Sequence, residues 1–128
     1  MNDNLKALLT YRLEQADESI EAAELLSEHK KYRSAVSRAY YAMFYAVLAL
    51  LATKSYTTSK HSGVISAFDR DFVKTGCFDK SLSKWLHDAF DLRQRADYRE
   101  MFDVDASKTL EVIAHAREFV AVIRQGIL

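Results

Sequence analysis

The chain contains no proline and only three glycines in 128 residues. Proline stops helices and glycine weakens them, so a composition this poor in both favours long uninterrupted helices joined by short connections. No glycine-rich phosphate loop is present, which excludes a P-loop or dinucleotide-binding domain. The single cysteine, Cys77, excludes an internal disulfide framework and a multi-cysteine zinc site. It fits a reducing cytoplasm, the expected location. The start, "MNDNLKALLT", lacks the basic and apolar regions of a signal peptide. The apolar run Tyr40 to Ala52 is short and tyrosine-rich for a membrane span, so it reads as a core helix and no membrane partner is expected. Net charge is zero, which argues against indiscriminate duplex binding. No segment alternates as a strand would, and no repeat or low-complexity linker appears.

About half of the residues are apolar, enough for one compact domain over residues 1–128 with a sizeable core. Leu5, Leu9, Ala16, Ile20, Ala23 and Leu26 recur at three- and four-residue spacing and predict a first helix over 4–27. Acids crowd its other face, and "EHKKYRS" then makes a basic turn. Val36, Tyr40, Met43, Val47 and Leu50 stripe a second helix over 32–51, widened by Ala39, Phe44 and Leu51. A shorter third helix starts after Ser59 and carries Val64, Ile65, Phe68 and Phe72. Gly76 suits a C-cap, and Leu82, Trp85, Leu86, Ala89 and Leu92 mark a fourth helix reaching about Ala96. Asp105 can N-cap a fifth, which would bury Leu110, Ile113, Ala116, Val120 and Ile123. The fold class is therefore all-α: an antiparallel up-and-down bundle of four long helices plus a shorter one.

Charge is unevenly placed. "DLRQRADYRE", residues 91–100, gathers Arg93, Arg95 and Arg99 around Asp97 and Tyr98. On a continuing helix Arg93 and Asp97 are neighbours, as are Arg95 and Arg99. A guanidinium oriented by Asp97 suits bidentate phosphate recognition, although cations near a helix C-terminus also favour the helix dipole. Tyr40, Tyr41 and Tyr45 could stack on a base or pack at the bundle rim, with Tyr41 turned outward or toward a partner subunit. His61 beside Lys60, near a helix start, could meet an anion or bond locally. His87 and Asp91 stand four apart, which is compatible with a metal and more often a surface pair; no metal or cofactor is expected.

"SRAYYAMFYAVLALL", "SKHSG" and "LRQRADY", in that order in an all-helical chain of this size, resemble the HEPN domains, and most closely the small stand-alone prokaryotic branch encoded beside a minimal nucleotidyltransferase. The resemblance covers nearly the whole chain. It implies a helical bundle that forms a homodimer and works with that nucleotidyltransferase in a toxin–antitoxin-like pair. In many members an arginine, a polar residue, several spacers and a histidine build a metal-independent RNase site at the dimer interface. In some pairs the partner attaches AMP to a tyrosine beside the motif. Carried over, Arg93 matches the arginine and Gln94 the polar residue, while Tyr98 stands where the histidine would fall. As an endoribonuclease the chain would use Arg93 for the phosphorane, Gln94 to orient it, and Tyr98 or His61 for protons. Arg93, Arg95, Asp97, Arg99, Lys60 and Tyr41 would bind RNA or nucleotide, and Tyr98 would accept AMP. The alternative is a non-catalytic nucleotide-binding or docking module for the nucleotidyltransferase.

Overall fold

The computed structural model describes residues 2–56, 60–98 and 103–127, without the side chain of Tyr98. Its elements are α1 (Asp3–Glu28), α2 (Tyr32–Ala52), α3 (His61–Phe68), a π-helical turn (Asp69–Val73), α4 (Lys80–Tyr98) and α5 (Ala106–Ile127). The chain is all-α, with no strand among the described residues.

Helix ends follow local chemistry. The Asn2 side chain accepts the Leu5 N–H at 2.7 Å and opens α1. Three residues then turn the chain into α2, with Lys30 at φ 61°. Gly76 sits at φ 85°, in the left-handed region that glycine enters freely. Asp105 caps α5, accepting the Lys108 N–H at 2.7 Å. The arginine-bearing end of α4 and its connection to α5 include Arg99, which lies outside the described residues.

Core packing centres on α2, which touches all four other helices. Val36, Ala39, Tyr40, Met43 and Val47 are fully buried there. By length and composition α2 could cross a membrane, but most of it is buried inside the bundle, as the core helix of a bundle would be. The expected stripes on α2 and α4 hold, with Leu82, Leu86, Ala89 and Leu92 buried. Two expectations need correcting. Leu110 is 60% exposed, and its neighbour Thr109 takes the buried place. Thr109 does so because its hydroxyl donates back to the Asp105 carbonyl at 2.8 Å. Phe72, expected as a continuation of α3, lies in the π-helical turn, where one wider turn shifts the helix face.

Among the described residues α1 packs on α2 and α5 but does not touch α4. One face of α2 therefore stays uncovered between α1 and α4, and it presents Arg38, Tyr41, Tyr45 and Leu48, all partly buried. This face positions the candidate site.

Candidate functional site

Arg93 stands one position beyond Leu92 at the edge of the buried α4 stripe, so its side chain runs along the border with α2. It is 17% exposed. Nη2 donates to the Tyr41 hydroxyl at 3.0 Å. The guanidinium carbon lies 5.2 Å from the Tyr41 ring centre and 5.8 Å from that of Tyr40, within cation–π range. Nε lies 3.0 Å from Asp97 Oδ2, one helical turn on. That contact is ionic but poorly aligned, because Nε finds no hydrogen-bond acceptor among the described residues. Asp97 thus holds the Arg93 charge as the four-residue spacing suggested.

The first residue of α3 completes the cluster. The His61 ring stacks on Phe44 with centres 4.3 Å apart and meets Tyr41 edge-on at 5.7 Å. Its Nδ1 lies 2.8 Å from the Tyr40 hydroxyl. Tyr40 is fully buried, and Nδ1 is its hydroxyl's only hydrogen-bond partner among the described residues. Burial pushes the Tyr40 phenol far above its ordinary range, against the opposing pull of Arg93. The phenol keeps its proton and, with no other partner among the described residues, satisfies it on His61 Nδ1, an arrangement that leaves the neutral ring's own proton on Nε2. Burial and then the Arg93 charge lower the His61 pKa. The imidazole is therefore held neutral beside a cation.

Helices α2, α3 and α4 thus bring together Arg93, Asp97, Tyr41 and His61 of the expected residues. Arg95 is not brought there: it pairs with Asp91 at 2.8 Å on the exposed side of α4. Gln94 is exposed, and Lys60, also exposed, precedes α3 without capping it through its side chain. The Tyr98 side chain and Arg99 lie outside the described residues. His87 and Asp91 do not pair with each other. His87 Nε2 instead meets Asp69 at 2.6 Å, and Ser83 donates to the other Asp69 oxygen at 2.7 Å. That network edges a cavity of about 730 Å³ whose rim carries Lys74, Lys80 and Lys84. No group of three or more metal-ligating side chains occurs among the described residues.

Sequence reasoning passed over Arg38, Phe44 and Phe90. Arg38 lies over the Tyr41 ring at 4.9 Å, and Phe90 packs on Tyr40 at 5.6 Å. The signal for Arg38 was present, since a residue three before Tyr41 shares its helix face. Phe44, four residues after Tyr40, shares that face by the same rule, whereas Phe90 carries no such signal because only the tertiary fold brings it to Tyr40.

Chemically the cluster offers a restrained guanidinium, an Nε2–H donor and aromatic walls, a set suited to a phosphate with an attached ring. The HEPN domain family model matches residues 9–126. A UPF0332 protein of Thermotoga maritima is 39% identical over 98% of this chain and 94% of its own length. "Putative toxin MJ0605" of Methanocaldococcus jannaschii is 35% identical over 99% of this chain and 94% of its own length. "Putative toxin MJ0142" of the same organism is 44% identical over 72% of this chain and 63% of its own length. With the match running almost from end to end, the chain belongs to the HEPN domain family.

Proposed function

We propose that this protein is the HEPN-type component of a toxin–antitoxin-like pair, acting in the cytoplasm as a homodimer beside a minimal nucleotidyltransferase and binding RNA phosphates at Arg93. One observation carries the reading. Arg93 and His61, far apart in sequence, meet over the rings of Tyr40 and Tyr41. An arginine confined by Asp97 and Tyr41 loses little freedom on gripping a phosphate. Two relatives named as toxins support the class of system.

Two versions follow from the same geometry. As a metal-independent endoribonuclease, the protein would use Arg93 to stabilise the negative charge developing on the phosphorane oxygens, with Gln94 and Tyr98 assisting. His61, near the arginine, supports this version. As a binding and docking module, it would hold RNA or nucleotide for the nucleotidyltransferase. The proton on His61 Nε2 supports this second version, because a ring protonated there donates rather than accepts.

The test is incubation of purified protein with labelled RNA in EDTA. Cleavage that vanishes in Arg93→Ala establishes the nuclease. Binding without cleavage establishes the module, and neither binding nor cleavage overturns the RNA site. Co-expression with the nucleotidyltransferase and intact-mass measurement tests Tyr98 as AMP acceptor: the mass of one AMP is gained, and is absent from Tyr98→Phe.

A further inference from the structure

Phosphate binding at Arg93 uses one arginine, but the Tyr41 ring carries two. The Arg38 guanidinium carbon lies 4.9 Å from the ring centre and that of Arg93 lies 5.2 Å from it. The two cations are therefore separated by no more than the sum of those distances. Their surroundings differ. Arg93 is held by Asp97 and the Tyr41 hydroxyl, whereas Arg38 has no ion pair or hydrogen bond among the described residues. Asp97 pairs with Arg93 and also lines a hollow with Arg38, so one ion-paired carboxylate stands beside two guanidinium groups. Arg38 is half-buried over the Tyr41 ring and makes no ion pair among the described residues, although Asp97 and Glu18 line the hollows on its two sides.

Space lies on both sides of Arg38. It lines a cavity of about 400 Å³ with Arg33, Ser34, Ser37 and Asp97. It also lines one of about 250 Å³ with Gln15, Glu18 and Tyr45. Arg38 is thus the shared wall of two hollows along the uncovered face of α2. One carries the hydroxyls of Ser34 and Ser37, suited to sugar and phosphate oxygens, beside Asp97, and the other the edge of Tyr45 beside Glu18. A mononucleotide on Arg93 would leave both hollows empty. A strand of RNA running along α2 would fill them.

Resting on the RNA reading of Arg93, we propose that Arg38 is a second phosphate-binding residue that grips the phosphodiester next to the one on Arg93, so that the site takes single-stranded RNA in preference to a mononucleotide. Tyr41 is the spacer that sets the distance between the two guanidinium groups. Ser34 and Ser37 contact the backbone beyond Arg38.

The test measures binding of the full-length protein to a 2′-O-methyl single-stranded oligonucleotide, which cannot be cut through its own 2′-hydroxyl, and to AMP. Salt is varied throughout. Each phosphate of a single strand that the protein ceases to neutralise reduces the slope of log affinity against log salt by roughly 0.7. That reduction is expected for Arg38→Ala, for Arg38→Gln and for Arg93→Ala, and about twice as much for the double variant. AMP affinity should fall in Arg93→Ala and hold in both Arg38 variants. Arg38→Gln keeps the aliphatic stem over Tyr41, so it carries the test if the alanine variant fails to fold. An unchanged slope in Arg38→Gln, with a reduced one in Arg93→Ala, overturns this proposal and leaves the Arg93 site standing. No oligonucleotide binding by the unaltered protein overturns both. Affinity loss that accompanies a change of oligomeric mass also overturns it, since Arg38 would then be an interface residue.

Discussion

The Tyr40 hydroxyl and His61 Nδ1 are joined at 2.8 Å, tying the middle of α2 to the first residue of α3. The bond decides what the histidine can do. A buried phenol that keeps its proton makes Nδ1 the acceptor and leaves the other nitrogen protonated. Nitrogen NMR of the ring should therefore find the Nε2–H tautomer in dominance. Tyr40→Phe removes the donor, and the ring should relax to a mixture of tautomers. Stability should fall by about 1 kcal/mol, the usual net worth of such a bond. An unchanged tautomer ratio in the variant would show that the phenol does not set it.

His61 also gives the fold a pH dependence with a definite sign. Burial and the Arg93 charge hold its folded pKa below the ordinary histidine value of about 6.5. Above that value the ring is neutral in both states and contributes nothing. As pH falls below it, the unfolded chain takes up the proton first, and stability is lost until the folded pKa is passed. Denaturant unfolding at pH 7.5 and 5.5 should show this loss, smaller in His61→Gln. Arg93→Gln removes one of the two causes, so the His61 titration followed by proton NMR should move up. A titration that stays put would mean that Arg93 is not felt at the ring.

Much of this is legible in the sequence alone. The apolar stripe of Val36 to Leu50 marks α2, and the four-residue step from Arg93 to Asp97 marks their pairing, because both depend only on helical period. Asp105 is legible as a cap and Gly76 as a left-handed turn residue because their chemistry is local, although the helix end itself falls at Lys74, two residues before the glycine. The Arg93–His61 meeting is not, since it depends on how α3 and α4 pack on α2. The π-helical turn is not either, because a single wider turn leaves the composition of a helix unaltered. Thr109 misleads in its own way. A threonine that satisfies its hydroxyl on its own helix can take a core position that hydrophobicity assigns to Leu110.

That exchange has a measurable consequence. Leu110 is largely exposed, so Leu110→Gln should change stability by no more than about 0.5 kcal/mol. Ile113, one turn on and fully buried, should cost about 2–5 kcal/mol when cut to alanine. Thermal or urea unfolding of the two variants separates them. A large loss in Leu110→Gln would mean that this leucine is covered by something outside the single chain, and the loss would then depend on protein concentration.

Tyr41 is the residue on which the site's geometry turns, since its hydroxyl fixes Arg93 and its ring lies under both arginines. The two contributions can be separated. Tyr41→Phe removes the hydrogen bond to Arg93 and leaves the ring, while Tyr41→Ala removes both. A charged hydrogen bond is worth about 1.5–3 kcal/mol, and a cation–π contact at a partly exposed site about 0.5–1. Only part of either appears as affinity, because a freed arginine still reaches the phosphate but loses freedom in doing so. Oligonucleotide affinity should therefore fall by several-fold in Tyr41→Phe and by at least about tenfold in Tyr41→Ala, tenfold being about 1.4 kcal/mol. The salt slope should barely change in either variant, because both arginines remain. This sets the tyrosine variants apart from the arginine ones, which lose charge as well as order. If Tyr41→Ala binds RNA as the unaltered protein does, the ring does not position the two guanidinium groups.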